Sequence, residues 1–359
     1  MKPIDHIAAM APYALADFTV PAGMEMVSLA QNESLRPPSP LALEAARDIG
    51  LSSADYPDPD YPELRQAIAN QHQIDAASIL CGAGSMELIT CIAQAYAGPG
   101  APVLTSQYGY ALFRNAAEKF AAPYMLAREP DHTVSIDLLL QSVSENTRLC
   151  FVANPGNPTG TLKSNADIRR LRAELPSSVL LVVDEAYGEF CDTGEPPLFD
   201  LVGQGNTIVL RTFSKAYGLA AARVGWGVFP PAVAEQVKKL IIPSSISTAS
   251  AAMATAAIKD QDYMRETCRQ TAVLRREMTD RIRTCGLNCR ESHTNFVLVE
   301  FADETIAQSA DQALRQQGLV ARGMGGYGLS HCLRLTIAPQ ETMRLAASTL
   351  ENWAKEHLA

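Results

Sequence analysis

Three aliphatic runs of the sequence, at residues 149–153, 179–183 and 207–211, each stop at polar residues that could do chemistry. If these runs are neighbouring parallel strands, their carboxyl ends meet at one edge of a sheet, where α/β proteins bind ligands. One crevice would then hold an amide, a carboxylate, a phenol, two hydroxyls and an amine. The residues concerned are Asn157, Asp184, Tyr187, Thr212, Ser214 and Lys215.

The amine belongs to Lys215, which follows an aliphatic run and precedes a glycine-containing turn. An amine in a partly dry crevice has a lowered pKa and can form a Schiff base with an aldehyde. The alternative for this residue, taken singly, is a surface lysine that happens to follow a strand. The other residues of the crevice favour the catalytic interpretation.

The carboxylate of Asp184 ends a dry strand, and a charge buried there needs compensation. A protonated pyridine nitrogen would supply that compensation, and its ring would become an electron sink. Asn157 and Tyr187 would then hydrogen-bond the phenolate oxygen of the same ring. The alternatives for Asp184 are a helix N-cap and a metal ligand.

Two segments could bind a phosphate group. Arg223, which follows the amine by eight residues, would join Thr212 and Ser214 in offering a guanidinium and two hydroxyls to a dianion. The small residues of the turn at 82–87 would let the backbone approach an anion at the start of a helix, although an ordinary helix start is the alternative. Tyr108 could stack on a flat ring, or could be a core or surface tyrosine.

The sequence also predicts the elements that must position these residues. Continuous aliphatic strands separated by helices indicate a mainly parallel sheet that is buried on both faces. Residues 1–30 are predicted to form an irregular arm, 31–240 a large domain and 241–359 a smaller α+β domain. The predicted helices cover 84–95, 111–120, 167–174, 232–240, 263–283 and the chain from 341, and the predicted strands cover 103–104, 149–153, 179–183, 207–211, 296–301 and 333–337.

The composition excludes several classes of protein. The 359 residues are 47% hydrophobic and 19% charged, which excludes a disordered or fibrous chain. The formal net charge of −9 disfavours binding to nucleic acid, and no apolar stretch is long enough to predict a membrane span. Eight cysteines without a Cys-x-x-Cys pair predict reduced thiols in a cytoplasmic protein; no metal site is predicted, and the six histidines are assigned no role.

The motifs together resemble a known family. In chain order they are PYALADF, LAQNES, YPDPDYPELRQAIA, GAGSMELI, NPGNPTG, VVDEAYGEF, RTFSKAYGLAAARVGW and RGMGGYGLSHCLRLTI. Over nearly its whole length the chain resembles the fold-type I pyridoxal 5′-phosphate (PLP) aminotransferases, and within them the histidinol-phosphate aminotransferase-like branch. The resemblance implies the aspartate aminotransferase-like fold, in which the large domain binds PLP, and a homodimer.

The resemblance also implies a role for each candidate residue. The predicted catalytic residues are Lys215 as the Schiff-base lysine, Asp184 on the pyridinium nitrogen and Tyr187, with Asn157, on O3′ of the ring. Tyr108 would stack on the ring, and the phosphate would be bound by Thr212, Ser214, Arg223, the backbone of Ala83, Gly84 and Ser85, and Tyr56 of the neighbouring subunit. The predicted substrate-binding residues are Arg334, Arg322, Tyr13 and Asn32.

Three segments depart from the family pattern. The usual Pro-Gly-Lys-Pro run is absent after Tyr13, residues 32–35 read Asn-Glu-Ser-Leu, and Ser244 stands where an aromatic residue is often found. These departures concern the pocket for the substrate side chain and leave the PLP chemistry untouched. Arg322 still matches a family position that can contact a distal phosphate.

The predicted activity is transfer of an amino group between an amino acid or histidinol phosphate and a 2-oxo acid such as 2-oxoglutarate. The alternatives are a decarboxylase of a phosphorylated amino acid and a general aromatic aminotransferase, because one fold hosts several chemistries. A non-catalytic PLP-binding regulatory domain is disfavoured, since no basic or helix-turn-helix extension accompanies the catalytic residues. If Arg322 and Arg334 face one pocket, a dianionic substrate is favoured; if Arg322 points to solvent, a neutral amino acid fits.

Overall fold

The computed structural model describes residues 1–12, 16–47, 49 and 54–358. Within them the strands are β1 (Val27–Ser28), β2 (Ile79–Gly82), β3 (Val103–Ser106), β4 (Tyr124–Ala127), β5 (Leu149–Ala153), β6 (Leu180–Asp184), β7 (Thr207–Thr212), β8 (Gly225–Val228), β9 (Asn288–Cys289), β10 (Phe296–Glu300), β11 (Leu319–Val320), β12 (Arg322–Met324) and β13 (Leu329–Thr336). The helices are α1 (Asp5–Ala9), α2 (Pro40–Arg47), α3 (Pro62–His72), α4 (Ser85–Tyr96), α5 (Ala111–Lys119), α6 (Ile136–Gln141), α7 (Asn165–Glu174), α8 (Pro231–Lys238), α9 (Thr248–Lys259), α10 (Gln261–Thr284), α11 (Glu304–Arg315) and α12 (Gln340–His357).

A seven-stranded sheet forms the larger unit, with the strand order β2-β8-β7-β6-β5-β3-β4. The five strands from β7 to β4 are parallel, and β8 pairs antiparallel with both β7 and β2. Successive residues of β6 alternate between two hydrophobic clusters: Leu181 and Val183 belong to one, and Leu180 and Val182 to the other. The sheet is therefore buried on both faces, and the predicted mainly parallel architecture is confirmed.

In the large sheet, the strands β3, β5, β6 and β7 were predicted, whereas three others were not. The predicted strand 179–183 appears as β6 and includes Asp184, which pairs in register with Leu210 of β7. β2, β4 and β8 are missing from the sequence-based description. β8 has the sequence Gly-Trp-Gly-Val, and glycine weakens a strand pattern, so only its pairing with two neighbours defines it.

The smaller unit contains a four-stranded antiparallel sheet, ordered β12-β13-β10-β9, with α10, α11 and α12 packed around it. Strand β1 of the N-terminal arm pairs with β11, and Leu29 enters the core of this unit. Helix α9 packs against α2 and α3, and Ala254, Ala257 and Ile258 lie in the core of the large unit. These contacts join α9 to the large unit, and the boundary at 240/241 stays a prediction.

None of the helices in the described part of the chain is both long enough and apolar enough to cross a membrane.

Candidate active site

A cavity of about 630 Å³ lies at the carboxyl ends of β5, β6 and β7, between the large sheet and the strands of the small unit. Of the predicted site residues, it is lined by Asn32, Gly84, Ser85, Asn157, Asp184, Tyr187, Thr212, Ser214, Lys215, Arg223, Arg322 and Arg334. The sheet thus brings together side chains that are up to about three hundred residues apart in the sequence.

Lys215 follows β7, and its Nζ donates hydrogen bonds to the backbone oxygens of Gln31 and Asn32, at 3.1 and 3.0 Å. Burial, assisted by the positive charge of Arg334, lowers the pKa of Lys215 to about 8, although Glu33 opposes the change. A substantial fraction of the amine is consequently neutral near physiological pH. That is the form a nucleophilic or proton-transferring lysine requires.

Asp184 ends β6 with only 4% of its surface exposed. Its Oδ1 accepts a hydrogen bond from the backbone N–H of Ala186 at 3.1 Å, and among the described residues it forms no salt bridge. Burial raises the pKa of Asp184 to about 7. A buried carboxylate of this kind fits a ligand that brings its own positive charge.

Two hydrogen-bonded pairs join the large unit to the rest of the site. Nδ2 of Asn32 donates to the hydroxyl of Tyr187 at 2.8 Å, and Nη1 of Arg334 donates to Oδ1 of Asn157 at 2.6 Å. Nη2 of Arg334 also donates to the backbone oxygen of Ala30, at 2.9 Å. The side chains of Asn157 and Tyr187 are thus oriented by residues outside the large sheet.

Arg322 and Arg334 are directly opposite each other in the pairing of β12 with β13. Directly opposite residues point to the same face of a sheet. Both line the cavity, together with Tyr327 of the turn between these strands. The structure therefore places Arg322 and Arg334 at the wall of one pocket.

The other end of the cavity carries hydroxyl and guanidinium groups. Oγ1 of Thr212 lies 3.0 Å from Oγ of Ser214, and Nη1 of Arg223 donates to the same Ser214 oxygen at 3.4 Å. Gly84, with φ of +79°, precedes α4, and a Cβ there would lie 2.5 Å from Nη2 of Arg223. A Cβ on Gly225 of β8 would overlap the backbone of Ser85. These glycines let strand, helix start and arginine approach closely enough to cradle an anion.

Two predicted cofactor contacts are placed differently. The backbone N–H of Ala83 is taken by the carboxylate of Glu87, so that amide is not directed to the cavity. The ring of Tyr108 stands edge-on to His132, 5.3 Å between centroids, and packs outside the cavity. Tyr110 lines the cavity instead. Of the two tyrosines of Tyr-Gly-Tyr, the second is therefore the one at the cavity wall.

Two other predicted residues are not among those that line the cavity in the described part of the chain, for different reasons. Tyr56 is 95% exposed, so a role at the phosphate needs a second copy of the chain. Tyr13 lies outside the described residues.

Some residues around the cavity were missed by the sequence reasoning. Asn295 donates from Nδ2 to the backbone oxygens of Asn32 and Glu33, at 3.1 and 2.9 Å, and so holds the segment that receives Lys215. Met86 and Tyr327 also line the cavity. Met86 and Tyr327 fall inside the quoted motifs and could have been named, whereas nothing local to Asn295 marks it.

The donor set fits PLP in the described cavity. An amine, a buried carboxylate without a cationic partner, a phenol beside an amide, and a hydroxyl-guanidinium cradle match the aldehyde, pyridine nitrogen, phenolate and phosphate of that cofactor. These groups also occupy one cavity rather than separate surfaces.

Comparisons with known proteins also indicate a PLP-dependent aminotransferase. The family model "Aminotransferase class I and II" matches residues 24–350. Proteins named histidinol-phosphate aminotransferase, from Rhodospirillum centenum and Ruegeria sp., are 39% and 37% identical, over 98% and 91% of each chain. The crystal structure of histidinol-phosphate aminotransferase from Sinorhizobium meliloti in complex with PLP is 31% identical with a TM-score of 0.87, covering 94% of this chain and 93% of that one.

A more distant structure, a Thermus thermophilus aspartate aminotransferase mutant, is 19% identical with a TM-score of 0.84 over 98% of this chain and the whole of that one, which shows the shared fold. The chain therefore belongs to the class I and II aminotransferases, has the aspartate aminotransferase-like fold, and is an enzyme whose cofactor is PLP.

Proposed function

We propose that this enzyme transfers an amino group between histidinol phosphate and 2-oxoglutarate, as a step of histidine biosynthesis. The observation that carries the proposal is the pairing of Arg322 with Arg334 on one face of β12 and β13, at the cavity wall. Two guanidinium groups provide bidentate, charge-assisted hydrogen bonds to a phosphate dianion. The names of the relatives support the same substrate.

The same two arginines suit the proposed amino acceptor. A transaminase binds donor and acceptor in turn, so one pocket must accept the phosphate of the first and the two carboxylates of the second. A guanidinium pairs bidentately with either group. This reasoning supports a dicarboxylic 2-oxo acid as the partner substrate.

Each predicted residue has a proposed task at its observed position. When bound, PLP supplies an electron sink for the bond that breaks at the substrate's amino carbon. Lys215 would hold the cofactor through its Nζ, and the same amine would carry a proton to and from the substrate. Asp184 keeps the pyridine nitrogen protonated.

Asn157 and Tyr187 are proposed to hydrogen-bond the phenolate oxygen of the cofactor ring, on which Tyr110 stacks. Thr212, Ser214 and Arg223 hold its phosphate, together with the backbone at Gly84 and Ser85.

We also propose a cytoplasmic homodimer. Tyr56 is exposed and does not line the cavity of its own chain. In a dimer it would complete the phosphate-binding end of the partner's cavity, so the second copy would contribute a residue to the site. All eight cysteines are free thiols, as expected in a reducing compartment.

The proposal is tested by kcat/KM for histidinol phosphate, glutamate and phenylalanine in wild type, Arg322→Ala and Arg169→Ala. Arg169 forms an exposed ion pair with Asp200 and serves as the control. Losing one charged hydrogen-bonding partner should reduce kcat/KM for histidinol phosphate by about 10- to 100-fold, with little effect on phenylalanine. Unchanged values for all three substrates, or phenylalanine as by far the best, would contradict the proposal.

The decarboxylase alternative is tested in the same experiment. A transaminase leaves the cofactor in its pyridoxamine form after one half-reaction, whereas a decarboxylase releases CO₂. We expect the pyridoxamine spectrum and no CO₂ with a single amino donor.

A further inference from the structure

Three metal-ligating side chains meet outside the cavity, where the large unit contacts the small one. His132 comes from the short helical turn Pro130–His132 of the large unit, Glu300 ends β10, and His331 lies in β13. One ligand atom from each lies within 4.8 Å of the others. We propose that His132, Glu300 and His331 form a binding site for a divalent first-row transition-metal ion, zinc above all, which links the two units of the chain.

The donor chemistry suits zinc. Two imidazoles and one carboxylate are a common zinc ligand set, and three protein ligands leave the fourth tetrahedral position for water. Nε2 of His331 lies 3.6 Å from Oε1 of Glu300. Neighbouring ligands on a tetrahedral zinc ion with bonds of about 2.0–2.1 Å are about 3.4 Å apart. The Glu300–His331 pair is therefore nearly at ligand spacing, and His132 needs a shift of about 1 Å to join it.

A second observation points to a ligand at this place. His132 is nine-tenths buried, and its Nδ1 has no hydrogen-bond partner among the described residues. A buried polar atom without a partner costs about 1–3 kcal/mol, and coordination of an ion by this nitrogen would offset that cost.

The charged side chains around the cluster have a small net negative charge, which favours a cation. Glu300 and Asp131 are negative and Arg290 is positive, with Nη2 of Arg290 3.6 Å from Oδ1 of Asp131. One negative charge remains, and it favours a cation at this cluster. The thiol of Cys332, next to His331, is not one of the groups that meet in this cluster.

The position of the cluster gives the ion a mechanical effect. Tyr108 packs edge-on against His132. Both Tyr108 and Tyr327 also pack against a small hydrophobic core in the second unit, formed by Leu298, Met324, Leu329 and Cys332. Tyr327 also lines the cavity. An ion bound here would join the two units at one side of the active site and stabilise the arrangement in which they close on it.

The test uses the PLP-loaded enzyme, stripped with a chelator and dialysed into phosphate-free buffer. Zinc binding is measured by equilibrium dialysis with metal analysis, and the geometry by the visible absorption of a Co²⁺ titration. The variants are His331→Ala and Glu300→Gln, both at partly exposed positions, with His357→Ala, on the exposed face of α12, as the matched control. We expect one zinc per chain, a tetrahedral cobalt spectrum, and about 100-fold weaker binding in the two variants but not in the control.

Two results would overturn the proposal. One is the absence of stoichiometric binding below millimolar zinc. The other is equal binding by wild type and His331→Ala, which would place the ion elsewhere, for instance on the cofactor phosphate. Zinc should also raise the Tm of wild type and of His357→Ala but not of the two ligand variants, and a missing rise would contradict the link between the units. None of these readouts depends on transaminase activity.

Discussion

Replacing Asp184 by asparagine removes the charge of the buried carboxylate while keeping its shape and its ability to accept the N–H of Ala186. Without a cationic ligand, burial raises the pKa of Asp184 from 3.8 to about 7. At 1.36 kcal/mol per pH unit, ionising this carboxyl in the protein costs about 4 kcal/mol. A protonated pyridine nitrogen that restores the carboxylate must supply a comparable free energy, and the same interaction keeps that nitrogen protonated.

The loss of about 4 kcal/mol corresponds to about a thousandfold decrease in kcat for Asp184→Asn. The assay is steady-state transamination at saturating donor, after the absorbance of the bound cofactor has shown that the variant is loaded. Asp200→Asn, which changes an exposed carboxylate paired with Arg169, is the control and should retain wild-type kcat. A loaded Asp184→Asn enzyme with kcat within tenfold of wild type would refute the reasoning.

Four further outcomes are expected. Since the folded-state pKa of Asp184 is raised, the cofactor-free protein should lose stability as pH rises from about 4 to about 7, by up to about 4 kcal/mol, and urea unfolding of Asp184→Asn should lack this slope. Lys215→Ala should fold and bind PLP that borohydride cannot fix to the protein, and should not turn over; a fixed cofactor would contradict the assignment. Tyr56→Ala should weaken PLP binding, measured by spectral titration, and sedimentation should show a dimer; a fully active monomer would refute the shared site. Gly225→Ala should lower the free energy of unfolding by at least about 2 kcal/mol, whereas Gly323→Ala, which has open space for a Cβ, should change it little.

The sequence was informative wherever function depends on which residues follow one another along the chain. The aliphatic runs that precede Asp184 and Lys215 form strands buried on both faces, because strands of that kind are apolar along most of their length. The polar residues that follow could therefore be assigned to one sheet edge before any coordinates. The motif resemblance added the family, the cofactor and the small unit's arginines.

The sequence was less informative about short or glycine-containing elements. The sequence Gly-Trp-Gly-Val does not predict β8 or its antiparallel pairing. That strand is stabilised by its hydrogen bonds to β7 and β2 rather than by a strand propensity of its own. The sequence of helix α9 is apolar, and by itself it does not indicate which unit the helix packs against. Only its packing on α2 and α3 shows that it contacts the large unit.

What the chain by itself determined was which residue types end which strands, and hence the chemistry available at the sheet edge. What only the tertiary structure decided was which distant side chains meet: Tyr110 rather than Tyr108 at the cavity, Arg322 opposite Arg334, and Asn295 beneath the segment that receives the lysine. The physical reason is that burial and turn propensity depend on neighbouring residues in the sequence. Strand register, turn direction and the contact between the two units depend instead on how the whole chain packs.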